Sequence, residues 1–245
     1  MRSIRLHPLT ACLGLVAMLA WGATPAREAP GEPWATEFPT DPSQLSSKGR
    51  NPYFILEPGY RLVLEEGASR MTVTVLDETK IVQGVETRVV EERESIKGQT
   101  SELTRNYFAI HSQTHDLLHF GEDVTNFRNG KVLNRNGSWL AGTGKARPGL
   151  LLPGQPRVGY RYYQEQAPGV TMDRAEIMSV NLTQKTPAGT FENCMRTQVT
   201  SPNAPDDKEY RYYAPGVGLV KFETMLLVEH GFKDGSDSTK AGAGR

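Results

Sequence analysis

The feature of this sequence that most constrains its fold is an alternation of apolar and polar residues with a period of two. Within 70–76, Met71, Val73 and Val75 alternate with threonines. Successive side chains of a strand point to opposite faces of a sheet, so this spacing puts the apolar set on one face. The pattern therefore predicts β-strands. Similar segments rich in Val, Thr, Tyr and Phe recur at 60–65, 86–96, 102–111, 117–120, 124–128, 131–133, 160–165, 175–183, 190–200, 209–213 and 218–228.

Short turn signals separate these segments. Asn129-Gly130 is the strongest, because both residues tolerate the positive φ of a tight hairpin. Further signals are Gln83-Gly84, Asn136-Gly137 and the Pro-Ala-Gly at 187–189. Turns this short join antiparallel strands and cannot make a parallel crossover. We therefore predict an all-β fold, a single domain of about 10–12 antiparallel strands curled into a barrel, a half-barrel or a sandwich so that its edges are hidden.

The two ends of the chain differ from this middle part. Arg2 and Arg5 precede an apolar run at 9–23 that breaks at Thr24-Pro25-Ala26. This layout predicts a signal peptide at 1–26, because the run is shorter than the roughly 20 apolar residues of a spanning helix. We expect an exported protein, periplasmic or extracellular, with no transmembrane segment. The polar composition predicts an extended or disordered leader at 27–50, a β domain at 51–232 and a disordered tail at 233–245.

Charge and cysteine content exclude some classes of partner. Without Arg2 and Arg5 the chain has 26 basic and 28 acidic residues, and no basic stripe that would replace the counterions of a nucleic acid. Cys194 is then the only thiol, so no intramolecular disulfide forms, and we expect it to be a buried core residue. The oligomeric state is left open.

Aromatic residues and leucines indicate a ligand site. The sequence Tyr-Arg-Tyr-Tyr occurs at 160–163 and again at 210–213, each time before a Pro-Gly turn. This repeated sequence has two explanations: two strands of similar structure, or a shared cavity that the tyrosines line. Three leucines at 150–152 lie between Pro-Gly breaks and form either a plug or a lid. Our first hypothesis is a non-enzymatic carrier of a small apolar or amphipathic molecule, with ligand contacts at Trp139, Leu151, Tyr162 and Tyr212.

The histidines and their acidic neighbours suggest two alternatives to a carrier, a metal site and an enzyme. His111, His115 and His119 surround a polar segment that reads as a hairpin turn. Half-buried strand histidines explain this spacing, and His111 with His119 could also hold a metal. An enzyme, a hydrolase or isomerase, would use His111 or His119 as base with Glu122 or Asp123 nearby.

Other chemistry has little support in the sequence. Glu122 and Asp123 are adjacent and are expected on opposite faces of a strand. No phosphate loop, nucleophile elbow or His-Glu-x-x-His helix occurs, and no cofactor is predicted. A third hypothesis is an assembly partner that acts through an exposed strand edge.

Four motifs carry a resemblance. NPYF occurs at 51–54, FGED at 120–123, PAGTFENC at 187–194 and YYAPGVGLV at 212–220. In this order they resemble a group of uncharacterised secreted bacterial proteins, over 51–224. The resemblance implies a stand-alone secreted β domain with a shared Pro-Ala-Gly hairpin, and the group has no established activity to carry over. A more distant likeness to curled-sheet lipoprotein carriers concerns the fold alone.

Overall fold

In a computed structural model of the chain, residues 32–232 are described. They form seventeen strands and one short 3-10 turn, Pro42–Gln44, with no α-helix in this range. The strands are β1 (Leu45–Ser46), β2 (Gly49–Asn51), β3 (Phe54–Leu56), β4 (Tyr60–Glu66), β5 (Ser69–Val82), β6 (Val85–Ile96), β7 (Gln99–His111), β8 (Leu117–Arg128), β9 (Lys131–Asn134), β10 (Trp139–Leu140), β11 (Gly149–Leu152), β12 (Arg161–Tyr163), β13 (Arg174–Thr186), β14 (Gly189–Ser201), β15 (Ala204–Ala214), β16 (Gly218–Phe222) and β17 (Met225–Phe232).

One large antiparallel sheet contains most of these strands, and this confirms the all-β prediction. Its order is β10-β8-β7-β6-β5-β4-β17-β16-β15-β14-β13-β12. β1 pairs with β7, β9 and β11 pair with β8, and β2 and β3 form a separate two-stranded sheet. Neighbouring strands are mostly neighbours in sequence, because short turns return the chain beside the strand it has just left.

The tight turns fall where the sequence predicts them. Gln83-Gly84 joins β5 to β6, and Asn129-Gly130 joins β8 to β9. Both residues of each pair have positive φ, 50° and 78° in the first turn and 53° and 73° in the second. Two positive φ values match the right-handed twist of the flanking strands, which is why hairpins select such residues. Lys97-Gly98 makes a third turn of this kind, between β6 and β7.

The two ends of the large sheet meet along a seam, which we define as residues 147–152 against 161–167. The Arg147 amide donates to the Gln166 carbonyl at 2.9 Å. The Gln166 side chain donates to the Pro148 carbonyl at 2.6 Å, and the Gln164 side chain to the Leu151 carbonyl at 2.9 Å. These are single bonds and not a continuous ladder, so the sheet does not close into a barrel, and a half-barrel or sandwich describes it.

The curl gives the sheet an inner face that carries the core. Directly paired residues of neighbouring strands share a face, and Leu227, Leu64 and Met71 lie in one such row. All three are fully buried. Cys194 is also fully buried, as predicted, and its thiol donates to the Phe191 carbonyl at 3.4 Å.

Several predicted segment boundaries differ from those of the structure. The segments at 117–120 and 124–128 are one strand, β8, and the segment at 218–228 is divided into β16 and β17 by a turn at 223–224. The leucine segment is a strand, β11, that pairs with β8, and Leu150 and Leu152 are buried in the core. The three consecutive leucines do not alternate with polar residues, so the sequence did not predict a strand at 150–152.

The described part of the predicted leader, residues 32–50, is extended and contacts the large sheet. Ala35 bridges to Tyr162, and β1 pairs with the end of β7. The predicted signal peptide and tail lie outside the described residues. Within 32–232, no helix of the length and apolarity needed to cross a membrane occurs.

Candidate functional site

A β-bulge in β8 brings His119 and Glu122 to the same face of the sheet. A spacing of three would put them on opposite faces of a regular strand. On β7, however, Phe108 pairs with His119 and Asn106 pairs with Glu122. The step between these two pairs is two residues on β7 but three residues on β8. The extra residue on β8 brings His119 and Glu122 to the same inner face of the sheet.

Gly121 makes this bulge possible. Its φ is 137°, a conformation that residues with a Cβ rarely adopt. A Cβ at this position would lie 2.4 Å from the Trp139 carbonyl oxygen and 2.9 Å from the Leu140 Cα. The close approach of β10 to the bulge thus requires glycine.

Glu165 reaches the same place from the seam. The backbone amide of Glu165 donates to the Asp173 carbonyl at 3.0 Å, which fixes the chain after β12. One ligand-type atom from each of His119, Glu122 and Glu165 lies within 4.8 Å of the others. The exposed fractions of the three residues are 2%, 2% and 6%. We call these three residues the seam triad.

The His119 ring is held in one orientation. Its Nε2 lies 3.0 Å from the Gly121 carbonyl oxygen, which only accepts, so Nε2 carries a hydrogen. Phe108 and Trp139 pack edge-on against the ring at 4.9 Å and 5.1 Å between centroids. The other nitrogen, Nδ1, is buried with no hydrogen-bond partner and lies 3.8 Å from Glu165 Oε1. A neutral imidazole in this tautomer presents a lone pair at Nδ1.

The pKa values of the two carboxyl groups of the triad are shifted in opposite directions. Burial raises the pKa of Glu122 well above its ordinary value, and the neighbouring Glu165 carboxylate adds to the rise. Burial opposes ionisation of Glu165, but the hydrogen bond from the Thr171 hydroxyl favours its charged form, and the pKa of Glu165 is lowered. Burial lowers the pKa of His119, against the attraction of Glu165. A neutral imidazole, a neutral carboxyl and a carboxylate can exchange protons or hold a cation, and all three side chains are shielded from solvent.

The other histidines and Asp123 lie elsewhere. Nε2 of His111 is 2.9 Å from the Gln44 side-chain oxygen, and its Nδ1 accepts from the backbone amides of Gln113 and Thr114. Both nitrogens are therefore satisfied, and His111 does not belong to the triad. His115 is exposed at the turn with φ 60°.

Asp123 takes the opposite face of β8 from Glu122, as the sequence predicts. Asp123 accepts hydrogen bonds from the Tyr107 hydroxyl and from Lys80 Nζ. Of the two acids that the enzyme hypothesis named as neighbours of the base, Asp123 therefore lies away from His119, whereas Glu122 lies near it. His119 and Glu122 are the two of these residues that the fold brings together.

The four residues predicted to contact a ligand are not gathered at one place. Trp139 packs against His119, and Leu151 lies half-buried in the seam. Tyr162 is fully buried on the inner face, where it pairs with Ala175, and its hydroxyl has no partner. Tyr212 pairs with Lys221, whose amine lies over the Tyr212 ring at 5.0 Å. Its neighbours in β15, Arg211 and Tyr213, are the buried ones, so Tyr212 lies on the other face of that strand.

The inner face carries a second group of charges, which we call the carboxylate patch. It comprises Glu92, Glu94, Glu102 and Glu209, all half-buried. Burial raises the pKa of Glu92 to about 8 and that of Glu94 to about 7, and neighbouring carboxylates of the patch add to both shifts. Arg211 forms an ion pair with Glu209, Nη2 to Oε1 2.6 Å, and favours the charged form of Glu92.

An apolar crevice lies beside this patch. Its enclosed volume is only about 10 Å³, roughly the space of one water molecule, and its lining residues are Phe54, Ile55, Tyr60, Leu62, Val73, Val75, Val217 and Gly218. Val73 pairs with Leu62 on one side and with Glu92 on the other, so the wall of the crevice continues into the patch. The crevice is therefore far smaller than the roughly 300–1,000 Å³ of pockets that enclose a drug-sized ligand, so its lining side chains would have to move to admit one.

Sequence reasoning missed Glu165 and the carboxylate patch. Glu165 ends a predicted strand and carries no motif; only the contact between the ends of the sheet brings it to His119. Glu92 and Glu94 belong to the acidic run at 91–94, a composition typical of a solvent-exposed strand edge. Their spacing of two residues could have indicated the patch, because it puts both side chains on one face of a strand.

The fold and these two sites define a class: an antiparallel β protein with a curled sheet and a polar interior. No protein family, no curated protein and no solved structure matches the chain. The resemblance drawn from the four motifs therefore stays a prediction.

Proposed function

We propose that this chain is a non-enzymatic binding protein for an amphipathic small molecule with a cationic head group and a short apolar tail. We further propose that it acts outside the cytoplasm, in the periplasm or the medium, after export directed by residues 1–26.

The observation that carries the proposal is the continuity of the crevice with the carboxylate patch. Val73 belongs to the crevice, and its partner on β6 is Glu92. An apolar tail that displaced the side chains lining the crevice would thus leave the head group beside Glu92 and Glu94. Carboxylates in a partly desolvated setting attract a cation more strongly than they would in bulk water.

The charge balance of this region supports a cation. The patch has four carboxyl groups, of which Glu209 forms an ion pair with Arg211. The repulsion between these carboxyl groups contributes to the raised pKa values of Glu92 and Glu94. A bound cation would relieve this repulsion and favour ionisation of both groups. We therefore expect binding to strengthen between about pH 6 and pH 9, as these carboxyl groups, with pKa values of about 8 and about 7, lose their protons.

Octylammonium and octanoate, which have the same chain and opposite charges, test the proposal by isothermal titration calorimetry. We expect octylammonium to bind at least tenfold more tightly at pH 8, and the double variant Glu92→Gln with Glu94→Gln to lose this preference. Glu192→Gln, at an exposed carboxylate of β14, is the matched control and should bind as the unmodified chain does. Equal affinity for the two probes, or a preference that survives the double variant, would contradict the proposal.

A further inference from the structure

We infer that the seam triad is a binding site for one divalent transition-metal ion of the Zn²⁺ class, held by Nδ1 of His119 and by carboxylate oxygens of Glu122 and Glu165. This site does not depend on the proposed function, because it lies at the seam and is built from other residues than the carboxylate patch.

The first support is the chemistry and spacing of the ligand atoms. Zn²⁺ accepts imidazole nitrogen and carboxylate oxygen at about 2.0–2.2 Å, and tetrahedral bonds of that length separate ligand atoms by about 3.4 Å. The three atoms of the triad lie within 4.8 Å of one another, and Nδ1 is already 3.8 Å from Glu165 Oε1. Side-chain shifts of about 1 Å would complete the geometry.

The second support is the unpartnered nitrogen. His119 is 2% exposed, and its Nδ1 has no hydrogen-bond partner although Oε1 of Glu165 lies 3.8 Å away. A buried nitrogen without a partner costs free energy, typically about 1–3 kcal/mol. Coordination of a cation would satisfy this lone pair.

The third support is the surrounding shell. Histidines that bind metals usually donate their other ring hydrogen to a carbonyl or carboxylate, which fixes the tautomer. Nε2 of His119 does this toward the Gly121 carbonyl at 3.0 Å. Likewise, the Thr171 hydroxyl donates to Oε2 of Glu165, and this leaves Oε1 directed toward His119.

Charge and ligand type indicate the kind of ion. The ion would displace the proton of Glu122 to solvent, and the resulting set of a neutral imidazole and two carboxylates carries a charge of minus two, which a divalent ion neutralises. Ca²⁺ takes six to eight oxygen ligands and Mg²⁺ an octahedron of oxygens, and both are poorly served by three ligands that include an imidazole. Imidazole with carboxylate suits Zn²⁺ and its first-row neighbours.

The test is a titration of the untagged full-length chain with Zn²⁺ and, separately, with Ca²⁺ at pH 7. We expect one equivalent of Zn²⁺ to bind with a dissociation constant below about 10 μM, with no detectable binding of Ca²⁺. Glu122→Gln and Glu165→Gln should each weaken Zn²⁺ binding at least a hundredfold. His111→Gln, at a buried histidine with both nitrogens satisfied, is the control and should change it less than twofold.

An absorption measurement keeps the inference testable if the variants do not fold. X-ray absorption fine structure of the Zn²⁺-loaded chain should contain one imidazole and two or more oxygen ligands. Two or more imidazoles, binding weaker than about 100 μM, or unchanged affinity in both folded glutamine variants would overturn the inference.

Discussion

At the scale of single residues, the bulge at Gly121 decides which side chains of β8 meet. His119 and Glu122 share the inner face because one extra residue is inserted between them, while Asp123 remains on the other face. The same small displacement aligns Nε2 of His119 with the Gly121 carbonyl. A single backbone irregularity thus sets both the membership of the seam triad and the tautomer of its histidine.

Gly121→Ala should be strongly destabilising. The new Cβ would meet the Trp139 carbonyl oxygen at 2.4 Å, and φ of 137° is strained for alanine. We expect a loss of at least about 3 kcal/mol in the free energy of unfolding, measured by urea denaturation. Gly144→Ala is the control: its φ is also positive, 58°, but no atom lies within 4 Å of the new Cβ, so we expect about 1–2 kcal/mol. Equal losses in the two variants would contradict the steric role of Gly121.

At the scale of elements, the long strands and the seam are stabilised in different ways. Hairpins such as β5-β6 are joined by two-residue turns whose local chemistry specifies them. The seam elements β11 and β12 have four and three residues. Each pairs with a strand of the sheet, β8 or β13, but across the seam itself side-chain bonds from glutamines join them. Gln166 is central among these, since its side chain donates to the Thr36 and Pro148 carbonyls.

Gln166→Ala should loosen the seam. Gln166 is 2% exposed, and its removal leaves two carbonyls without their donor. We expect a loss of about 2–3 kcal/mol in unfolding free energy and faster amide hydrogen exchange at 161–167, measured by mass spectrometry. Gln184→Ala removes a glutamine whose bond to the Lys185 carbonyl lies at the surface and should cost less than about 1 kcal/mol. Unchanged exchange in the seam of Gln166→Ala would show that backbone contacts alone hold it.

At the scale of the whole molecule, the curl of the sheet creates the polar interior. Glu92 on β6 and Glu209 on β15 are separated by four other strands of the sheet order, and yet Glu209 and Arg211 act on the pKa of Glu92. The curl therefore concentrates carboxyl groups that a flat sheet would keep apart in water. Such a concentration makes stability depend on pH.

Glu92→Gln should stabilise the protein in alkaline solution. The folded-state pKa of Glu92, about 8, lies above its ordinary value of 4.5. The stability that the protonated form contributes is thus fully present below about pH 4.5 and is lost as pH rises toward 8. We expect the variant to be more stable than the unmodified chain by about 1–2 kcal/mol at pH 8.5, and the difference to vanish near pH 4.5, by urea denaturation. Glu192→Gln should give a profile parallel to that of the unmodified chain; a constant difference for Glu92→Gln across this range would contradict the prediction.

The candidate site was partly predictable from the sequence. His119 and Glu122 were among the residues expected to act together, because imidazole and carboxylate groups are the usual acids, bases and ligands. Their common face was not predictable, since regular alternation separates them and the bulge depends on contact with β10. Glu165 joins them through a contact between residues far apart in sequence, for which no local pattern exists.

The sequence by itself determined that the chain is an antiparallel all-β protein and where its hairpins turn, as at Asn129-Gly130. These features depend on side-chain alternation and on φ preferences, which act between near neighbours in the chain. Only the tertiary structure decided that the sheet curls without closing, that Glu165 meets His119, and that Glu92 lies across from Arg211. Those outcomes depend on bulges and on contacts between distant strands, whose free energies are sums over the whole fold.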